Sequence, residues 1–293
     1  MKISSEYVGR TCLRLETTVT PRRAMNYAAA VGDGNPWHLD DTRPEGIVAP
    51  PMLAVALTWP ISERFSEFWG ETGFPTELLA RQVHYSESLT WTRPIQAEER
   101  LFIDGRVLAI LPHRGGTHLI LEYTATDPAG ETVFVERIGG LLRGVGCLDA
   151  GRGGGGLKFD NDYAGDGPPL WRETLRIDPL AAHWYDAGAD IHFPIHTSPA
   201  FARFVGLPGA IYHGTATLSL ALRELVRREA GNDPRRVRSL SCLFTAMVTP
   251  GSEITVELLG KEKEESGTSL AFTVKNQAGK TALRAGSLLI ADD

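Results

Sequence analysis

An aspartate and a histidine five positions apart, Asp33 and His38, stand in the stretch Gly32-Asp33-Gly34-Asn35-Pro36-Trp37-His38. Gly, Asn and Pro at this density mark a turn rather than a helix interior. A fixed turn can aim both side chains at one small volume, with Asn35 and Pro36 shaping it. An acid and a base aimed at one atom are what moving a proton on and off carbon requires. An altered copy occurs about half a chain later. When residues 27–38 are set over 185–196, Tyr27 meets Tyr185, Pro36 meets Pro194 and His38 meets His196 without a gap. The Asp33 position is then Ile191, the Asn35 position is Phe193, and Asp190 falls opposite Gly32.

The elements that must carry these residues repeat in the same order. Asp127-Pro-Ala-Gly-Glu-Thr132 sits over Asn276-Gln-Ala-Gly-Lys-Thr281, and Pro94 over Pro250. Such shared order predicts a duplicated domain. Each half begins with a strand, over residues 10–17 in the first. A short helix comes next, with Thr20 as N-cap and Pro21 in its first turn. After the Asp/His loop comes a longer apolar helix, from 51 to about 65 and again from 215 to about 228. Ala216, Leu218, Ala221, Leu222 and Leu225 predict a buried helix. Period-two alternation then predicts strands at 119–126 and 132–137, joined by a hairpin at Asp127 to Gly130, and at 254–259 and 270–274. His84 and Tyr85 begin another strand-like segment and read as plain sheet residues. One buried helix ahead of antiparallel strands predicts a curved sheet wrapped around a helix, an α+β class.

Residues 144 to about 169 contain Gly153-Gly-Gly-Gly156 and Gly165-Asp-Gly-Pro-Pro169, the composition of a linker. No Lys-Ser/Thr closes this run, so it is not a phosphate loop. The chain has 293 residues, 36 Asp and Glu against 30 Lys and Arg, and a net charge of -6. That balance argues against a general nucleic-acid or membrane-surface role. Cys12, Cys147 and Cys242 are odd in number and far apart, which predicts a reducing compartment. With no signal-peptide core and no apolar run near membrane-span length, a cytoplasmic protein is expected.

The residues resemble a known family. Gly32-Asp33-x-Asn35-Pro36-x-His38 is similar to the signature of MaoC-like dehydratases, the (R)-specific enoyl-CoA hydratases also called hydratase 2. Gly46-Ile-Val-Ala-Pro-Pro-Met52 resembles the segment just after that loop in the N-terminal halves of two-repeat members. Ile195-His-Thr-Ser-Pro-Ala-Phe-Ala202 and Gly206-Leu-Pro-Gly-Ala-Ile-Tyr-His-Gly214 resemble their catalytic half. The resemblance implies a double hotdog: an N-terminal unit over 1–143, the linker over 144–169 and a C-terminal unit over 170–293. It implies a 3-hydroxyacyl thioester substrate, carried on CoA or acyl carrier protein, with no metal and no redox cofactor. Because hotdog units commonly pair through their sheets, a homodimer is expected.

By the same resemblance Asp33 and His38 are the catalytic pair, and the oxyanion donor is the backbone N–H of Gly214 in the step His213-Gly214. In the first half that step is Pro50-Pro51, and proline has no N–H to give. The signature is therefore divided between the halves, and three readings stay open. Asp33 and His38 act with Gly214 or another amide as donor across the repeat interface; or His196 acts with a shifted Asp190 or with His192; or the fold has lost dehydration. In the last case it would bind thioesters, complete a partner dehydratase or, less attractively, act as a thioesterase. The i,i+4 spacing of His192 and His196 hints at a metal pair, but Pro194 between them disfavours one helix and no third ligand is evident.

Overall fold

The computed structural model describes residues 1–155 and 167–292. The first half contains β1 (Lys2–Ile3), β2 (Leu15–Thr18), α1 (Pro21–Ala30), α2 (Pro36–Leu39), α3 (Leu53–Glu63), α4 (Phe65–Trp69), β3 (Gln82–Trp91), β4 (Arg100–His113), β5 (Gly116–Thr126) and β6 (Thr132–Arg143). Two short strands come next, β7 (Gly146–Cys147) and β8 (Arg152–Gly153). The second half contains β9 (Trp171–Arg176), α5 (Ala181–Ala189), α6 (Pro194–Thr197), α7 (Pro199–Phe204), α8 (Gly214–Glu229), β10 (Val237–Phe244), β11 (Glu253–Glu264), β12 (Gly267–Asn276) and β13 (Thr281–Ile290).

The main strands form one sheet in the order β2-β4-β5-β6-β3-β10-β13-β12-β11-β9. Each half has the same internal order, and the two meet where β3 pairs antiparallel with β10, Ser88 opposite Ser241. The result is a double hotdog, two helix-and-sheet units joined edge to edge. The central helices α3 and α8 pack on β6 and β11. Most of each is buried: Leu53 to Thr58 and Ile61 in α3, Thr215 to Leu222 and Glu224 to Val226 in α8. The apolar all-round character of both helices is thus explained by burial between sheet and neighbouring unit. Pro60 lies inside α3, and the helix stops at Glu63 before α4 resumes at Phe65.

Two sequence expectations need correction. The first strand is only β2, because the Leu13 N–H donates to Phe68 O of α4 rather than to a neighbouring strand; upstream, Thr11 makes only an isolated bridge to Arg106. The Gly-rich segment is not uniformly a linker: β7 pairs with β1 and β8 with β4. Its remaining stretch, 156–166, lies outside the described residues.

The units are also locked through α1 and α5. The Tyr27 and Tyr185 hydroxyls are 3.1 Å apart, Tyr27 is 2.8 Å from Ser219 Oγ, and Tyr185 donates to Thr215 Oγ1 at 3.1 Å. All four groups are buried, and each is satisfied by the chain. The helices cross at Gly188, where an added Cβ would stand 2.5 Å from Ala30 Cβ and 2.7 Å from Asn26 O. Neither neighbour is a flexible side-chain end, so the helices must separate to admit it. Gly188→Ala is expected to lower stability by about 1–3 kcal/mol despite better helix propensity, read as a lower urea midpoint with an unchanged slope.

Candidate active site

The Asp33/His38 turn is built by helix termination. The N–H of Gly32 donates to Ala29 O at 3.0 Å and that of Asp33 to Ala28 O at 2.8 Å. With Gly32 at φ +60°, this is a left-handed C-terminal cap. Asp33 Oδ1 accepts the Asn35 N–H at 3.1 Å, and Asn35 Oδ1 accepts the Trp37 N–H at 3.1 Å, capping α2. Pro36 fills the first position of α2, and α2 turns His38 inward. His38 Nδ1–H donates to Val48 O at 2.6 Å, leaving Nε2 3.6 Å from Asp33 Oδ2. That distance is too long for a hydrogen bond and leaves the two groups facing each other.

The second copy repeats the backbone and changes the chemistry. Asp190 takes the left-handed position of Gly32, at φ +57°, and therefore cannot stand where Asp33 does. Its Oδ1 instead meets His192 Nε2 at 2.9 Å, while Asp186 Oδ2 meets His192 Nδ1 at 2.8 Å. Those two carboxylates, Asp186 first, raise the pKa of His192. The Asp33 position is filled by buried Ile191. Pro194 opens α6, so His192 lies outside that helix. His196 repeats His38: its Nδ1–H donates to Ile211 O at 2.9 Å, which leaves Nε2 as the acceptor. Its ring stacks on His213, with centroids 3.7 Å apart. Among the described residues no group of three or more His, Cys, Asp or Glu is arranged to hold a metal ion.

The two copies face very different spaces. Asp33 and His38 line a void of only about 20 Å³, bounded by Pro50, Pro51 and Met52 and by Ser219, Leu222, Arg223, Val226 and Pro234 of the second unit. The loop is tied to the second unit across the interface. Arg223 donates to Val31 O and Gly32 O at 2.7 and 3.0 Å, and Asn35 Nδ2 donates to Asn232 O at 2.9 Å. Arg43 and Arg235 each lie 3.7 Å from the Trp37 ring centre. At α3 the Leu53 and Ala54 N–H groups donate to Pro50 O and Pro51 O, so they are already engaged.

His192, His196, His213 and Gly214 line a cavity of about 1600 Å³ instead. It runs between the units, with Val55, Trp59 and Ile138 on its first-unit wall and Phe244 and Thr215 on its second-unit wall. Gly214 is the first residue of the 16-residue helix α8, where backbone N–H groups point outward and the helix dipole adds positive potential. An added Cβ at Gly214 would stand 2.9 Å from the Phe244 ring. The structure thus separates residues that one reading joined: Asp33 and His38 in one pocket, Gly214 and His196 in another. In the other reading Asp190 engages His192 rather than His196, so it is not the direct partner of the His196 ring.

Burial governs the charge states. It pushes His196 down to about 4 against the raising effect of Ile211 O, and His213 down to about 2, with His196 adding to the effect. His84 and His118 fall to about 4, and His38 is lowered by burial, partly offset by Asp33. Buried Glu87 and Glu136 move the other way and hold their protons. The signs give a pH profile. The unfolded chain protonates these five histidines near 6.5 while the fold keeps them neutral, so their contribution is lost as pH falls below that value. The two glutamic acids contribute stability that is lost as pH rises from 4.5 through their raised folded values. The urea midpoint is expected to peak near about pH 6.5, where the two trends cross, and to fall on the acid side.

Sequence patterning gives His84 no role beyond the sheet and gives Glu87 none at all. Three positions apart, they should face opposite sides of a regular strand. A bulge at Tyr85, between the pairs His84–Gly140 and Ser86–Gly139, brings them together. His84 Nε2 lies 3.1 Å from Glu87 Oε2 and 3.2 Å from Ser86 O, and the ring lines the large cavity. Period-two patterning carries no signal for a bulge.

Residues 166–281 match the MaoC like domain, and residues 6–136 match the FAS1-like dehydratase domain region. The chain thus carries a MaoC-like domain in its second half and a FAS1-like dehydratase region in its first. It is 26% identical over 212 residues to the probable enoyl-CoA hydratase 2 of Dictyostelium discoideum, covering 71% of this chain and 69% of that protein. It is 26% identical over 186 residues to the peroxisomal enoyl-CoA hydratase 2 of Arabidopsis thaliana, covering 60% of this chain and 59% of that one. An 87-residue stretch is 42% identical to the fatty acid synthase subunit beta of Aspergillus oryzae, 29% of this chain but 4% of that protein. In fold, this MaoC-like chain matches the MaoC-like dehydratase from Phytophthora capsici, with TM-score 0.84, 20% identity and 98% of each chain covered. A Mycobacterium tuberculosis protein described as having a double hotdog fold matches at TM-score 0.57, 16% identity, 97% and 96% covered. No helix among the described residues is long and apolar enough to cross a membrane.

Proposed function

We propose that this MaoC-like chain is a hydro-lyase that adds water reversibly to 2-enoyl thioesters, giving (R)-3-hydroxyacyl thioesters, and that it does so in the large cavity. The observation that carries this reading is the convergence there of His196 Nε2 and the Gly214 end of α8. The thioester oxygen accepts the Gly214 N–H. Water bonds to C3 as His196 Nε2 takes one of its protons. The C2=C3 electrons move toward the thioester oxygen, where the amide and helix dipole meet the developing charge. A proton then returns to C2, and dehydration runs the same steps backward. Since burial keeps His196 neutral, its lone pair is available at neutral pH.

The acyl chain lies along Val55, Trp59, Leu119, Leu121 and Ile138, an apolar wall from the first unit. A volume of about 1600 Å³ is larger than a short acyl group needs, so long or bulky chains are the preferred substrates. The carrier is CoA or acyl carrier protein. A chain-length series of 2-enoyl-CoA esters, monitored by loss of the enoyl absorbance, tests this. Falling KM with chain length supports it; no hydration of any ester contradicts it. The facing Asp33 and His38 support a second reading, in which they catalyse after their void opens. That reading requires the Arg223, Asn35 and Trp37 clamps to release.

A further inference from the structure

In the proposed site His196 lacks the carboxylate that stands beside His38 in the first copy, because Ile191 fills that position. Resting on that reading of the cavity, we propose that His84 of the first unit is a catalytic group that holds the same water as His196 by accepting its second hydrogen. Four observations carry it. The bulge at Tyr85 lets His84 line the cavity that contains His196 and Gly214. Bulges recur beside active sites because they re-aim a side chain. The His84 ring packs on Phe244 at 4.4 Å, and Phe244 is also the ring that closes on Gly214, so one aromatic spacer relates both groups. Nε2 is engaged with Ser86 O, which leaves Nδ1 as the acceptor of the neutral ring. Behind it the fully buried Glu87 carboxyl lies 3.1 Å from Nε2.

The step balances. Two imidazole lone pairs, His196 Nε2 and His84 Nδ1, each accept one hydrogen of the water. The water oxygen bonds to C3, the O–H bond to His196 breaks, and the π electrons pass to the thioester oxygen. The imidazolium at His196 returns its proton to C2 as those electrons move back. His84 keeps its hydrogen bond to the hydroxyl now on C3, and no co-reactant is consumed. The second acceptor thus comes from the other unit, which gives the duplicated architecture a direct part in the chemistry.

The test compares wild type, His84→Phe, His84→Gln and His196→Ala in 2-enoyl-CoA hydration. His84→Phe keeps an aromatic ring against Phe244 and removes the acceptor; His84→Gln keeps an acceptor. The expected result is a kcat about 100-fold lower for His84→Phe with KM within about threefold, and partial recovery in His84→Gln. If His84→Phe hydrates as wild type does while His196→Ala is inactive, the assignment of His84 is overturned and the site stands. It is equally overturned if KM alone rises. Wild type that hydrates no enoyl-CoA overturns the functional reading and this one with it. Urea midpoints of the variants separate loss of chemistry from loss of fold, and His84→Gln with wild-type stability and activity no better than His84→Phe also counts against the proposal.

Discussion

Gly214→Pro is expected to hydrate enoyl-CoA about 10²–10³-fold more slowly than Gly214→Ala. The comparison isolates one N–H. Both variants place a Cβ 2.9 Å from the Phe244 ring, so both strain the same contact. Proline is well accepted at the first position of a helix, where its missing N–H has no intrahelical partner to lose. The remaining difference is the donor to the thioester oxygen. The measurement is kcat for each variant, with thermal midpoints to show that both fold. Equal kcat values would mean that the oxyanion is held elsewhere. The first half illustrates the same physics: proline at position 51, before α3, has no N–H, and the Leu53 and Ala54 amides are already bonded to Pro50 O and Pro51 O.

His196→Ala is expected to lower kcat about 10²–10⁴-fold, the ordinary contribution of a positioned general base. Its Nδ1–H bond to Ile211 O fixes the tautomer, so the group lost is a lone pair of defined direction. His213 makes a useful contrast. It stacks on His196 at 3.7 Å, yet its ring nitrogens make no well-aligned hydrogen bond. His196→Phe preserves the stack and loses the lone pair, and it should be as slow as the alanine variant. Recovery of activity in His196→Phe would mean that packing, not proton transfer, is what His196 supplies.

Much of the fold is legible locally. Thr20 and Pro21 do cap α1: the Thr20 side chain accepts the Arg23 N–H. The Asp127 to Gly130 hairpin joins β5 to β6, and the two apolar helices lie where their patterns put them. The gapless overlay of the two loops also holds in space, since Gly32 and Asp190 share the left-handed position. What local pattern cannot carry is distance in sequence. The β3–β10 junction depends on edges about 150 residues apart. The narrowness of the void at Asp33 depends on Leu222, Val226 and Pro234 of the other unit. The signature at Asp33 to His38 specifies a backbone turn and two side chains; whether substrate reaches them is decided by α8. The placement of His84 is illegible for a related reason, because one extra residue at Tyr85 reverses the face that alternation assigns.

The central claim is that water is added in the cavity at Gly214 rather than at the intact signature. Asp33→Asn tests it most directly, because asparagine retains an acceptor for the Asn35 N–H and so preserves the turn. The measurement is kcat/KM for 2-enoyl-CoA hydration by this variant beside wild type and His196→Ala. The expected result is a value within about threefold of wild type for Asp33→Asn, with His196→Ala lowered about 10²-fold or more. The contradictory result is the reverse: Asp33→Asn inactive and His196→Ala undiminished, which would place the chemistry in the void between α2 and α8.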